Sequence, residues 1–88
     1  MNEKIYTIKF IDIGREKFNG TRTLAARSLE EVEIEAEHEA KKHLMSREVF
    51  LNMSKFAKNK GWYTVYAGMH TVGNVEIISS KIPHARKS

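Results

Sequence analysis

Ser28-Leu29-Glu30-Glu31 opens the one segment of this chain whose local chemistry leaves little choice of structure. A serine followed three residues later by glutamate is a capping box. The hydroxyl accepts from the Glu31 amide, and the Glu31 carboxylate reaches back toward the start of the turn. Behind it Leu29, Val32, Ala36, Ala40, His43 and Leu44 recur at helical spacing in one narrow apolar stripe. Glutamates crowd the first turns, and Lys41, Lys42 and Arg47 stand at the end, which suits the helix dipole. Glu37 and Lys41 add an i,i+4 pair in the favourable orientation. A stripe this narrow, with two alanines in it, predicts a helix lying close on a sheet.

The rest of the chain supplies that sheet. Residues 4–13 alternate, with Tyr6, Ile8 and Phe10 on one side and Thr7, Lys9 and Ile11 on the other. Residues 14–20 are polar and contain the turn dipeptide Asn19-Gly20, so residues 21–26 read as a returning strand. Residues 47–58 fit two templates. As a strand, Val49, Leu51 and Met53 face the core and Asn52 and Ser54 face water. As a helix capped by Ser46 and stopped at Gly61, Val49, Phe50, Met53, Phe56 and Ala57 form a stripe. The strand is preferred, because a hairpin across residues 58–61 then completes the sheet. Residues 62–67 put Trp62, Thr64 and Tyr66 on one face and Tyr63, Val65 and Ala67 on the other. Residues 68–74 read as a turn or bulged connection, and residues 75–81 as the last strand with Val75 and Ile77 inward. The expected fold is α+β: one amphipathic helix on an antiparallel sheet of four to five strands, in the order ββαβββ. Its second sheet face stands free for contact.

Eighty-eight residues suffice for one domain, expected over residues 1–82, with a basic tail at 83–88 ended off by Pro83. The chain has no cysteine, which favours a reducing, cytoplasmic setting for so small a domain. Without a long apolar run, neither a signal peptide nor a membrane span is expected. Net charge is +4, unevenly spread. Residues 29–45 carry six glutamates against Lys41 and Lys42, and the remaining thirteen Lys and Arg face only five Asp and Glu. A basic body with one acidic element points to an acidic partner, nucleic acid or a nucleoprotein complex.

Catalytic and metal motifs are missing. His38 and His43 resemble a zinc-protease pair but lie five residues apart, about 140° around a helix of 3.6 residues per turn. Two histidines so placed cannot share a metal from one helix. Glu35 and His38 have di-iron spacing, yet such sites need a second pair on another helix. There is no phosphate loop, no nucleophile elbow and no cysteine nucleophile. Neither an enzyme, a cofactor nor a metal is expected.

Binding chemistry is richer. Lys55, Lys58 and Lys60 alternate with Phe56, Trp62 and Tyr63 around the expected turn of residues 58–61. Lysines neutralise phosphates, and an exposed Trp or Tyr stacks on a base. Arg15, Lys17, Arg22 and Arg27 form a second basic cluster on the first hairpin. The residues singled out for binding are therefore Lys55, Lys58, Lys60, Trp62, Tyr63, Arg15, Lys17, Arg22 and Arg27. The alternative is a protein–protein module or a homodimer with no nucleic-acid role, formed by edge-strand pairing or through the exposed sheet face.

The run Asn19-Gly20-Thr21, the junction from Leu24 to Val32 and the short strands ending at Trp62-Tyr63 resemble small phage-encoded proteins. The layout over residues 4–66 is similar to one anti-CRISPR family that targets the type I-F surveillance complex. The specific part is the strand–Ala-x-Ser-Leu–helix junction. The resemblance implies a host protein complex as partner and basic surface residues placed where that complex would take up DNA. This chain is longer by a terminal hairpin and its helix is more acidic; no individual residue role is carried over.

Overall fold

Alternating residues need partners for their backbone groups before their apolar face can be buried. In the computed structural model, which describes residues 3–44 and 48–80, five strands meet that need in one sheet. They are β1 (Lys4–Ile13), β2 (Phe18–Ala26), β3 (Val49–Ala57), β4 (Lys60–Ala67) and β5 (His70–Ser80). A single helix, α1 (Leu29–Lys41), follows β2. All neighbours are antiparallel, in the order β2-β1-β5-β4-β3. The expected ββαβββ order and the α+β fold are therefore present, with five strands. The tail at residues 83–88 lies outside the described residues.

The core forms where α1 lies on one sheet face. Val32, Ala36 and Ala40 are fully buried on Ile8, Phe10, Val65, Val75 and Ile77. Alanines at two of the three helix positions let the backbone approach the sheet. Ser28 Oγ accepts from Glu31 N at 3.3 Å, as the capping box requires. The reciprocal bond lands one residue earlier: Arg27 N donates to Glu31 Oε1 at 3.0 Å. His43, beyond the helix, stacks on Phe18 with ring centroids 3.7 Å apart.

Three expectations need correction. Asn19-Gly20 is not the first turn. The chain reverses over residues 14–17, where Gly14 and Lys17 have φ of 78° and 50°. A side chain at Gly14 would also meet His43 O at 2.7 Å. Asn19 instead sits within β2 and bridges a bulge in β1, its Nδ2 donating to Asp12 Oδ1 and Lys17 O. Second, residues 70–74 belong to β5, and the turn is confined to residues 68–69. An extra residue of β5 is absorbed where the β4 register shifts between Val65 and Tyr66. Third, Met53 lies on the helix side but remains 40% exposed, because α1 leaves that end of β3 uncovered. The doubtful segment is a strand, β3, throughout Val49–Ala57.

Candidate nucleic-acid interface

The sheet face away from α1 is open. Strand alternation and register bring onto it Ile5, Thr7 and Lys9 from β1, Thr21 and Thr23 from β2, Asn74 and Glu76 from β5, Trp62, Thr64 and Tyr66 from β4, and Phe50 and Asn52 from β3. Lys55 joins them only because of a bulge. Met53 pairs with Tyr63 on the helix side, and strict alternation would return Lys55 to that side too. The register instead shifts between Met53 and Lys55, and Lys55 comes opposite Trp62. Ser54, at the bulge, donates its hydroxyl to Trp62 O at 3.1 Å.

Trp62 is thereby set between two cations. The ammonium groups of Lys55 and Lys60 lie 5.0 and 4.9 Å from the ring centroid. Each such contact is worth about 0.5–1 kcal/mol at an exposed position. Lys60 Nζ also meets Glu76 Oε1 at 2.9 Å, which neutralises the carboxylate that lies opposite Trp62. Farther along, Phe50 stacks on Tyr66 with centroids 5.6 Å apart and planes at 13°. Phe50 is 45% exposed even with Tyr66 against its ring. The face thus carries two aromatic stations on β4 and its neighbour, with Lys9, Lys55 and Lys60 around them.

The other side of the molecule has the opposite character. The glutamates of α1 do structural work along both flanks of the helix. Tyr63 Oη donates to Glu33 Oε2 at 2.6 Å, and Leu51 N donates to Glu37 Oε2 at 3.3 Å. On the other flank Arg22 meets Glu35 and Glu39 at 3.4 and 3.6 Å. Burial, followed by the hydrogen bond to Glu33 and its charge, raises the Tyr63 phenol well above its ordinary value.

Not all the sequence candidates share this interface. Lys55, Lys60 and Trp62 do. Tyr63 is a correction: it is 3% exposed in the core, on the face opposite Trp62, since adjacent strand residues point to opposite sides. Lys58 lies in the β3–β4 turn with φ of 57°, at the rim of the face. Arg22 is a second correction, because it faces the helix and is already paired with two carboxylates. Arg15 and Lys17 sit in the first turn, and Arg27 precedes the helix; all are exposed. The strand order puts the two hairpins at opposite edges with β1 and β5 between the clusters, so the two basic groups do not merge. Lys9, Phe50 and Tyr66 were not singled out from sequence. For Tyr66 and Lys9 the signal was present, in the alternation that groups each with its own face.

Among the described residues, no group of three or more His, Asp or Glu side chains is placed to hold a metal. No described helix is long and apolar enough to cross a membrane. Comparison with known protein families, curated proteins and solved structures returns no match to this chain.

Proposed function

We propose that this chain is a non-enzymatic binding protein that holds single-stranded nucleic acid on the open face of its sheet. The observation that carries the reading is Trp62, displayed on that face between the Lys55 and Lys60 ammonium groups. A ring of this kind stacks on any base, and lysines beside it reach the adjoining phosphates. The Phe50–Tyr66 pair offers a second stacking station on the same face. An open sheet face suits unpaired bases laid against it. Duplex recognition commonly places a helix in the major groove, and the one helix here turns Glu30 outward and carries five more glutamates, which phosphates would repel. The face carries cations, hydroxyls, amides and rings beside Ile5 and the paired Glu76, a mixture suited to binding. An inhibitor of a nucleic-acid-handling complex, the role implied by the anti-CRISPR resemblance, would use the same surface to occupy a strand's path.

Fluorescence anisotropy of a labelled, unstructured DNA oligonucleotide tests this reading. Trp62→Ala is expected to weaken binding by about 1–3 kcal/mol, the value of one stacked base. Lys55→Ala is expected to make the plot of log K against log salt shallower by about 0.7, one phosphate contact on a single strand. Absence of binding at low salt by the unaltered protein would overturn the proposal.

A further inference from the structure

The two edges of the sheet are finished differently. One hydrogen bond settles which backbone groups point outward. Ser79 N donates to Asn59 O at 2.8 Å, so helix-side residues of β5 direct their amides toward β4. In an antiparallel sheet successive residues direct these groups to opposite sides. Glu76 and Ile78 therefore bond toward β1, Tyr6, Ile8 and Phe10 toward β2, and Thr21, Thr23 and Ala25 are left facing out of the sheet. The same alternation across β4 turns Leu51 outward on β3. There the outward amide is taken, since Leu51 N donates to Glu37 Oε2. The β3 edge is further broken by its bulge between Met53 and Lys55.

The β2 edge has no such protection among the described residues. From Gly20 to Ala26 it pairs one-to-one with β1, and the extra residues of the irregularity beyond belong to β1. No described side chain bonds the outward groups of Thr21, Thr23 or Ala25. Its one charge in that stretch, Arg22, is drawn to the helix side by Glu35 and Glu39. A straight edge of this length, with its single charge held by the helix, is a template for another strand.

We propose that this edge pairs with the same edge of a second copy of the chain, antiparallel about a two-fold axis through Thr23. In that register Thr23 opposes Thr23 of the second copy, Thr21 opposes Ala25, Gly20 opposes Ala26, and Arg22 opposes Leu24. Every outward amide and carbonyl of residues 21–25 then has a partner. Leu24 lines, with Ala25, Ala26, Glu31, Ile34 and Glu35, a groove of about 280 Å³ between β2 and α1. The register delivers Arg22 of the second copy to this groove, where it exchanges with the Arg22 of the same chain for the Glu35 carboxylate. It also brings each copy's Ile34, 49% exposed, toward the joint. The contact is self-complementary: each copy gives a cation and an acidic groove and receives the same. A slip of one residue would oppose helix-side to open-side positions. A register centred on Arg22 would set like charges face to face. Because the β3 edge is blocked, assembly closes at two copies and the sheet continues through ten strands, twice the number in one chain.

The full chain in sedimentation equilibrium is expected to approach twice 10.2 kDa as concentration rises. Thr23→Lys, on the exposed open side, places like charges across the axis. It is expected to be monomeric at every concentration, with the melting temperature of the unaltered protein diluted until it too is a single chain. The register has its own test, because the chain contains no cysteine. Opposed residues of a hydrogen-bonded antiparallel pair have Cα atoms about 5.5 Å apart, within disulfide reach. Thr23→Cys is expected to form a covalent dimer under a mild thiol oxidant, and Asn52→Cys on the β3 edge is expected to stay single. A mass of one chain up to about millimolar concentration, a dimeric Thr23→Lys, or equal cross-linking of the two cysteine variants would each overturn the proposal.

Discussion

Tyr63→Phe removes a single oxygen and tests how the acidic helix is held on a basic body. The Tyr63 hydroxyl donates to Glu33 Oε2 at 2.6 Å, a short, charge-assisted bond. Tyr63 itself is 3% exposed while Glu33 is half-buried, so water replaces the bond on the carboxylate only in part. A hydrogen bond to a charged group is worth about 1.5–3 kcal/mol net, and losing the donor leaves the Glu33 carboxylate short of a partner. Urea denaturation at neutral pH is therefore expected to show a loss in that range, with an unchanged slope against urea. The pH dependence is a second and sharper readout. Burial and the nearby Glu33 charge raise the folded-state titration of Tyr63, while in the unfolded chain it titrates near its ordinary value of about 10. The folded state thus holds the proton more tightly. Its stabilisation is complete below about pH 10 and drains away as pH rises toward the folded-state value, by up to about 1.4 kcal/mol per pH unit. The lysines titrate in both proteins, so they cancel in the difference. The gap between the unaltered protein and Tyr63→Phe should narrow steadily above pH 10. Equal midpoints at neutral pH, or a constant gap from pH 8 to pH 11, would refute the reasoning.

Ser28→Ala is expected to cost about 1 kcal/mol, the usual worth of a capping oxygen, and an unchanged denaturation midpoint would mean that the Ser28–Glu31 bond contributes nothing. Gly73→Ala is expected to cost more, upward of about 1–3 kcal/mol, because φ is 150° there. A side chain would also meet Ile13 Cδ1 at 2.6 Å and Asp12 O at 2.8 Å. A melting temperature equal to that of the unaltered protein would show that the bulged end of β5 yields to accommodate it.

Much of the architecture is written in local patterns. The capping box and the Val32–Ala36–Ala40 stripe are set by neighbours within a turn or two, so α1 is legible without any tertiary information. The period-two segments of β1 and β4 are equally clear. Residues 47–58 were ambiguous for a physical reason that the structure supplies. The bulge at Ser54 shifts the alternation, so helix-side positions run Val49, Leu51, Met53 and then Phe56. An odd series that turns even imitates helical spacing. The Asn19-Gly20 error has a similar origin. Two turn-forming signals lie close together, and the choice between them rests on His43, whose backbone closes on Gly14 in a tertiary contact.

The candidate interface was legible in part. Lys55, Lys60 and Trp62 stand out as a run, but a run ignores the faces of a strand. Trp62 and Tyr63 are adjacent, so one faces out and the other meets Glu33. Arg22 reads from sequence as a free cation because its partners, Glu35 and Glu39, come from α1 across the β2–α1 packing. Strand order is set by long-range pairing, which no local pattern encodes. It is this order that separates the two basic clusters and brings Lys9 beside Glu76.

Trp62 is the one tryptophan of the chain, so its emission reports on the proposed contact alone. Titrating the protein at low salt with an unlabelled oligothymidylate, while following that emission, shows whether a base stacks on Trp62. Stacking of a base on the ring should quench the emission to a saturable endpoint. The apparent affinity should fall with added salt by a slope of about −2 in log–log terms, as for three phosphate contacts on a single strand. Binding that leaves the emission of Trp62 unchanged, or no binding at all, would contradict the account.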